Sequence, residues 1–253
     1  MKLKYKKQGE GKAFLILHGL FGSSDNWQTH AKKLADYFEV YSIDQRNHGL
    51  SDWSEDFNYE IMADDLKEFI DDHNINNFIL MGHSMGGKTA MTFVQKYPDL
   101  VDKLIVVDMG VKSYAIHHDG IIQGLRSIAL DVVKSRSEAD EQLSKSIKNQ
   151  AIRNFLLKNL YWKEKGQLAW RINLDVLSEK LPEIVAALPN EENLTPVLFM
   201  RGGQSDYIEE NDIPKIKEIF PISTFHTIEK AGHWIHAEAP TEFIEKVLGF
   251  SLR

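Results

Sequence analysis

The segment Gly82-His83-Ser84-Met85-Gly86 sets a serine between two glycines. It follows the apolar run Phe78-Ile79-Leu80-Met81 and precedes a helical stretch that Pro98 stops. This is the pattern of a nucleophile elbow, in which a strand feeds a sharp turn, the turn feeds a helix, and the serine sits at the apex. A side chain at 82 or 86 would collide with the neighbouring strand or helix. Ser84 then points out at the carboxyl edge of a sheet, and the Met85 backbone N–H points at whatever Ser84 attacks. A serine hydroxyl is a weak nucleophile at neutral pH and needs a base. His233, in Ala231-Gly232-His233-Trp234, follows the last strand pattern by a few residues and belongs to the same edge; His236 is its rival. The imidazole needs an acid to fix its tautomer. Asp108 closes the run Leu104–Val107, and Asp206 lies one turn beyond Val197–Met200; spacing does not choose between them. Asp44 also ends a strand, but it precedes Ser84 and breaks the chain order of nucleophile, acid and base. A tetrahedral intermediate needs a second donor besides Met85, and the loop His18-Gly19-Leu20-Phe21-Gly22 offers the backbone N–H of Leu20 or Phe21.

These residues need a scaffold that brings several strand ends to one edge. Lys2–Lys6 alternates polar and apolar like a half-exposed edge strand. Ala13–Leu17 is continuously apolar, as in a parallel strand covered on both faces. Val40–Ile43, Phe78–Met81, Leu104–Val107, Val197–Met200 and Ile222–Ile228 supply further strands. Helical patterns fall between them at 26–37, at 59–72, where Met62, Leu66, Phe69 and Ile70 share one face, and after Pro240. The alternation predicts an α/β fold with a mainly parallel sheet. It lapses from about 111 to 190, where the pattern is mostly helical without a clear strand. The expected organisation is a core of residues 1–110 and 191–253 with an inserted helical module at 111–190.

Composition narrows the function. The chain has 253 residues, a formal net charge of −7 and no cysteine. The acidic balance argues against a nucleic-acid partner. The missing thiols remove disulfides, thiolate metal sites and a cysteine nucleophile, and fit a reducing compartment. The Lys-rich start, Met1–Lys12, carries no apolar leader segment, and Ala13–Leu17 is too short to span a membrane, so a cytoplasmic protein without membrane association is expected. His117-His118-Asp119 and the pair His233/His236 are possible metal ligands, but no HExxH is present, and neither a metal nor a cofactor is expected.

Across nearly its whole length the chain resembles the α/β-hydrolase superfamily. The resemblance rests on Leu17-His18-Gly19, the segment from Asp44 to Ser51, Gly82–Lys88 and Ala231–Trp234. Arg46-Asn47-His48-Gly49, Gly82–Lys88 and Arg201-Gly202-Gly203-Gln204-Ser205 are similar to the small bacterial acyl-ester and acyl-CoA esterases and their mitochondrial relatives. The resemblance implies a sheet with helices on both faces, a helical cap inserted after the sixth strand, and cofactor-free hydrolysis of esters or thioesters. It makes Ser84 the nucleophile and His233 the base. In the wider superfamily the acid follows the seventh strand, where Asp206 sits; in this branch the aspartate ending the sixth strand, here Asp108, can serve. There is room for only one strand before Ala13, so about seven strands are expected rather than eight. In such families the loop holding Arg46, Asn47 and His48 braces the elbow, and Lys88 is expected to face solvent or that loop. Phe155, Leu156, Leu160, Tyr161, Trp162, Leu168 and Trp170 read as the cap's own core, with a subset lining an acyl pocket, and Tyr207 or Trp234 as a wall of the site.

The expected activity is that of a serine hydrolase on short to medium acyl esters or thioesters, acyl-CoA included. Other cofactor-free reactions of the same fold compete: C–C bond hydrolysis, a lyase of menaquinone synthesis, or perhydrolysis. A non-catalytic ligand receptor is the remaining alternative. Residues 111–190 hold 12 Lys and Arg against 9 Asp and Glu, a mildly basic module on an acidic body, which reads first as a solvated helical surface and is also compatible with steering an anionic substrate such as an acyl-CoA.

Overall fold

The computed structural model describes residues 1–116 and 118–253; His117, one of the possible metal ligands, lies outside the described residues. A seven-stranded sheet runs through the molecule in the order β1-β3-β2-β4-β5-β8-β9. Its strands are β1 (Lys4–Gln8), β2 (Ala13–Leu17), β3 (Glu39–Asp44), β4 (Phe78–His83), β5 (Val101–Val107), β8 (Val197–Gly202) and β9 (Ser223–Ile228). Only β1 runs antiparallel, against β3, at one edge. The other pairs are parallel, so their carboxyl ends share one side.

The continuous apolar runs have the expected cause. On β2, Leu15 and Leu17 belong to one core with Leu80, Leu104 and Phe199, while Phe14 and Ile16 belong to another with Met81, Ile105 and Met200. The period-two alternation sends successive side chains to opposite faces, each covered by helices. Helices α2 (Tyr59–Asp72), α3 (Met85–Lys96) and α9 (Ile213–Ile219) contribute to the first core. Helices α1 (Gln28–Leu34), α10 (Ile235–Glu238) and α11 (Pro240–Ser251) contribute to the second. The helix expected at 26–37 is shorter, because its first turn, Ser24–Trp27, is a 3₁₀ segment.

Between β5 and β8 the chain leaves the sheet. This insertion follows β5, the fifth strand of the chain. It carries α4 (Asp119–Arg126), α5 (Arg136–Ser144), α6 (Gln150–Leu157), α7 (Leu174–Glu179) and α8 (Leu181–Ile184). It also holds an antiparallel hairpin, β6 (Leu160–Glu164) and β7 (Gln167–Trp170), where the sequence pattern predicts no clear strand. Leu160 and Leu168 are buried there while Trp162 and the tip are exposed. The inserted helices share a core with Leu20, Phe21, Met62 and Met85, so the insert packs directly on the site loops. Among the described residues no helix is long and apolar enough to cross a membrane.

Candidate active site

The elbow at Ser84 is tightly built. Ser84 has φ 53° and ψ −120°, a backbone region that costs a non-glycine residue about 1–3 kcal/mol and persists only where its surroundings enforce it. The enforcement is steric. A Cβ on Gly82 would stand 2.1 Å from the Gly86 carbonyl oxygen, and one on Gly86 would stand 2.5 Å from that of Leu17. The Ser84 N–H donates to Val107 O at 3.0 Å, and Lys88 N–H to Ser84 O at 3.1 Å, so the turn is fixed to β5 and to α3.

His233 is brought to Asp108. Its Nδ1 lies 2.8 Å from Asp108 Oδ2. Asp108 is fully buried and accepts two further bonds, from Gly202 N–H at 3.0 Å and from the Ser205 hydroxyl. Three donors on one buried carboxylate hold it as the acceptor that fixes a proton on Nδ1, leaving Nε2 to exchange protons. Asp206 is not brought to His233: it is exposed, without a hydrogen bond to that ring, and lies beside Tyr207 in a neighbouring cavity. The rival His236 is buried and stacked on Trp27 at 4.4 Å, and burial pushes its pKa down to about 3. It packs rather than titrates.

The loop carrying His233 is positioned by side chains from other segments and from the helix that follows it. His83 Nε2–H donates to His233 O at 3.0 Å. The Glu238 carboxylate accepts from Gly232 N–H at 2.8 Å and Trp234 N–H at 3.2 Å. The Tyr207 ring stacks on His233 at 4.0 Å. Of these, Tyr207 is expected from the sequence as a wall of the site. His83 lies within the elbow motif and Ser205 within Arg201–Ser205, but with no role attached; Glu238 carries no signal in the sequence.

The two candidate loop donors separate. Phe21 N–H is already used, donating to His48 Nε2 at 3.2 Å. Among the described residues the N–H groups of Leu20 and Met85 have no acceptor. Phe21 itself has φ 59°, unusual for a bulky side chain. It is gripped from both sides, because Asn159 of the insert donates its Nδ2–H to Phe21 O at 2.8 Å. His48 is fully buried, with a pKa lowered to about 3 by burial and the nearby His18, so it stays the neutral acceptor this arrangement needs.

The loop after β3, expected to brace the elbow, is bonded to α2, to the insert and to the Phe21 loop. Arg46 makes a buried two-point ion pair with Asp65 of α2, at 2.6 and 2.8 Å. Asn47 pairs with Ser54 and accepts from Asn173 N–H of the insert at 3.0 Å. Lys88 departs from expectation. It is 0% exposed, facing neither solvent nor that loop.

Ser84 lies where two cavities meet. One, of about 220 Å³, holds Ser84 and His233 with Trp27, Ile121, Phe155 and Trp234 among its walls. Asn26, Ile152, Phe155, Trp234 and His236 are shared with an outer groove of about 710 Å³, so this limb opens to the surface. The other cavity, of about 370 Å³, holds Ser84, Met85 and Leu20 but not His233, and is walled by Met109, Tyr114, Ile184 and Val185 with Lys112 and Glu209 among its polar residues. Of the residues expected as the cap's own core, Leu156, Leu160 and Leu168 are buried in it, with Phe155 and Trp170 packed against it; Phe155 and Leu156 also line the first cavity, Trp162 is exposed, and Tyr161, Leu168 and Trp170 line a separate groove.

The chain as a whole is similar to known proteins. Residues 12–121 match the model of the alpha/beta hydrolase fold family. The chain is 37% identical over 252 residues to the sn-1-specific diacylglycerol lipase ABHD11 of Danio rerio, covering 96% of this chain and 79% of that one. It is 32% identical to Esterase YbfF of Escherichia coli, covering 96% and 94%. A solved structure described as a marine microorganism esterase superposes with a TM-score of 0.96 at 46% identity, covering 98% of this chain and 99% of that one. The chain therefore belongs to the α/β-hydrolase family, among its ester-cleaving hydrolases.

Proposed function

We propose that the chain is a serine hydrolase that cleaves carboxylic esters or thioesters of short to medium acyl chains through an acyl-enzyme. Residues 1–110 and 191–253 form the catalytic core, and residues 111–190 act as its cap. The observation that carries this reading is the relay from buried Asp108 to His233, set in one cavity with Ser84 on its strained turn. Ser84 Oγ attacks the acyl carbon while His233 Nε2 takes its proton, and the Asp108 carboxylate stabilises the imidazolium. The oxyanion is held by the N–H groups of Met85 and Leu20, whereas Phe21 holds the loop through its bond to His48. The carbon–oxygen or carbon–sulfur bond then breaks, and His233 returns its proton to the leaving atom. Water repeats the sequence and releases the acid.

The leaving atom must meet His233, which lines only the limb with Trp27 and Phe155. The alcohol or thiol side of the substrate belongs there, continuing into the outer groove, and the acyl chain belongs in the limb between Leu20 and Tyr114. The relatives named as esterases and as a diacylglycerol lipase support an ester substrate. The mildly basic cap keeps acyl-CoA thioesters among the candidates.

The test pairs labelling with turnover. Wild type should react with a fluorophosphonate probe at Ser84 and hydrolyse p-nitrophenyl esters. Ser84→Ala should abolish labelling and lower kcat by about 10⁴-fold or more, in line with losses for removing such a nucleophile. Undiminished hydrolysis by Ser84→Ala would remove the serine mechanism.

A further inference from the structure

Lys88 sits one helical turn after Ser84 and is completely buried. Among the described residues no carboxylate pairs with it, and burial alone lowers its pKa to about 7. Its Nζ instead donates to three backbone carbonyls: Lys112 O at 2.7 Å, Ala186 O at 2.7 Å and Val111 O at 3.4 Å. Three N–H donors meet three acceptors, which satisfies the ammonium group. The ring of Tyr114 lies 5.3 Å away. A buried cation without a counter-ion is expensive, and a methionine of similar length would fill the same space without that cost.

The acceptors show what the cation holds. Val111 and Lys112 lie where the chain leaves β5 for the cap, and Ala186 where it returns. These crossings are also bonded to each other, Tyr114 N–H to Val185 O at 2.9 Å and Leu188 N–H to Val111 O at 2.9 Å. The same segments wall the limb assigned to the acyl chain, through Lys112, Ser113, Tyr114, Ala115, Ile184 and Val185. Lys88 itself lines neither limb.

We propose that Lys88 is a positioning residue that ties both crossings of the cap to the elbow helix and thereby fixes the wall of the acyl limb. Its side chain reaches the substrate only through that wall. The proposal rests on the assignment of the acyl limb made above, but the tie itself is independent of any reaction.

Two measurements test it on the full chain. In Lys88→Met, amide hydrogen exchange should quicken at residues 111–115 and 184–188 and stay as in wild type in β2 and β4. The ratio of kcat/KM for octanoyl over acetyl p-nitrophenyl esters should fall at least tenfold, because acetyl does not need the limb. Lys88→Gln, which keeps a donor, should lie between the two. If Lys88→Met does not fold, Lys88→Gln carries the same comparison. Unchanged exchange at both crossings would overturn the tie, and an unchanged ester ratio with quickened exchange would overturn its link to the acyl limb. A wild type inert to esters and to fluorophosphonate would instead defeat the proposed reaction, leaving the exchange result to decide the tie.

Discussion

At the scale of single residues the elbow was legible, because its glycines are demanded by contacts no side chain could survive. The choice of acid was not. Asp108 and Asp206 both end or follow strands at the carboxyl edge, and one-dimensional spacing carries no direction for a side chain. What separates them is three-dimensional: Asp108 is buried under three donors, and Asp206 is exposed. Asp108→Asn should therefore lower kcat by about 10³–10⁴-fold, since an amide holds the wrong imidazole tautomer. Asp206→Asn should stay within about threefold of wild type, because an exposed side chain without a partner has little to lose. Steady-state kinetics on one ester decides the matter, and a reversed order would reassign the acid. Lys88 misled for a related reason: lysine is almost never fully buried, so its type announces exposure. Only its carbonyl partners, drawn from residues 23 to 98 positions away, explain its place.

At the scale of elements, continuous apolar runs announced parallel strands, and the lapse of alternation falls where the chain leaves the sheet between β5 and β8. The hairpin β6–β7 escaped because only Leu160 and Leu168 of its nine residues are buried, too few to show a period of two. The contact from this insert to the loop proposed to hold the oxyanion was equally invisible, being a single side-chain amide reaching across 138 positions. Its consequence is specific. Asn159 holds Phe21 O while His48 holds Phe21 N–H, and together they set the direction of the neighbouring Leu20 N–H. Removing an oxyanion donor outright costs about 10²–10³ in kcat, so loosening one should cost about tenfold. Asn159→Ala is expected to lower kcat by that amount with KM nearly unchanged, because oxyanion contacts form in the transition state and not with bound ester. A rise in KM at constant kcat would show that Asn159 shapes the pocket instead.

At the scale of the whole molecule, the sequence shows ten histidines but not their burial. Among the described residues five of them, His18, His30, His48, His83 and His236, are buried, and desolvation lowers the pKa of each. The values are about 4 for His18 and His30 and about 3 for His48 and His236, and His83 lies well below the ordinary value of 6.5. Above pH 6.5 these rings are neutral whether the chain is folded or not. As pH falls below that, the unfolded chain takes up protons that the folded one refuses, so stability drops until the folded pKa is reached. Each such ring contributes a slope of about 1.4 kcal/mol per pH unit in that window. Urea denaturation at pH 7.0, 6.0 and 5.0 should show midpoints that fall steeply, with an uptake of three to five protons on unfolding between pH 6 and 5. His30→Phe, within the aromatic cluster of Trp27 and Phe243, should shed one of those protons. An uptake of one proton or none would mean that these rings are charged in the folded state, and that the neutral His48 on which the oxyanion loop depends is not maintained.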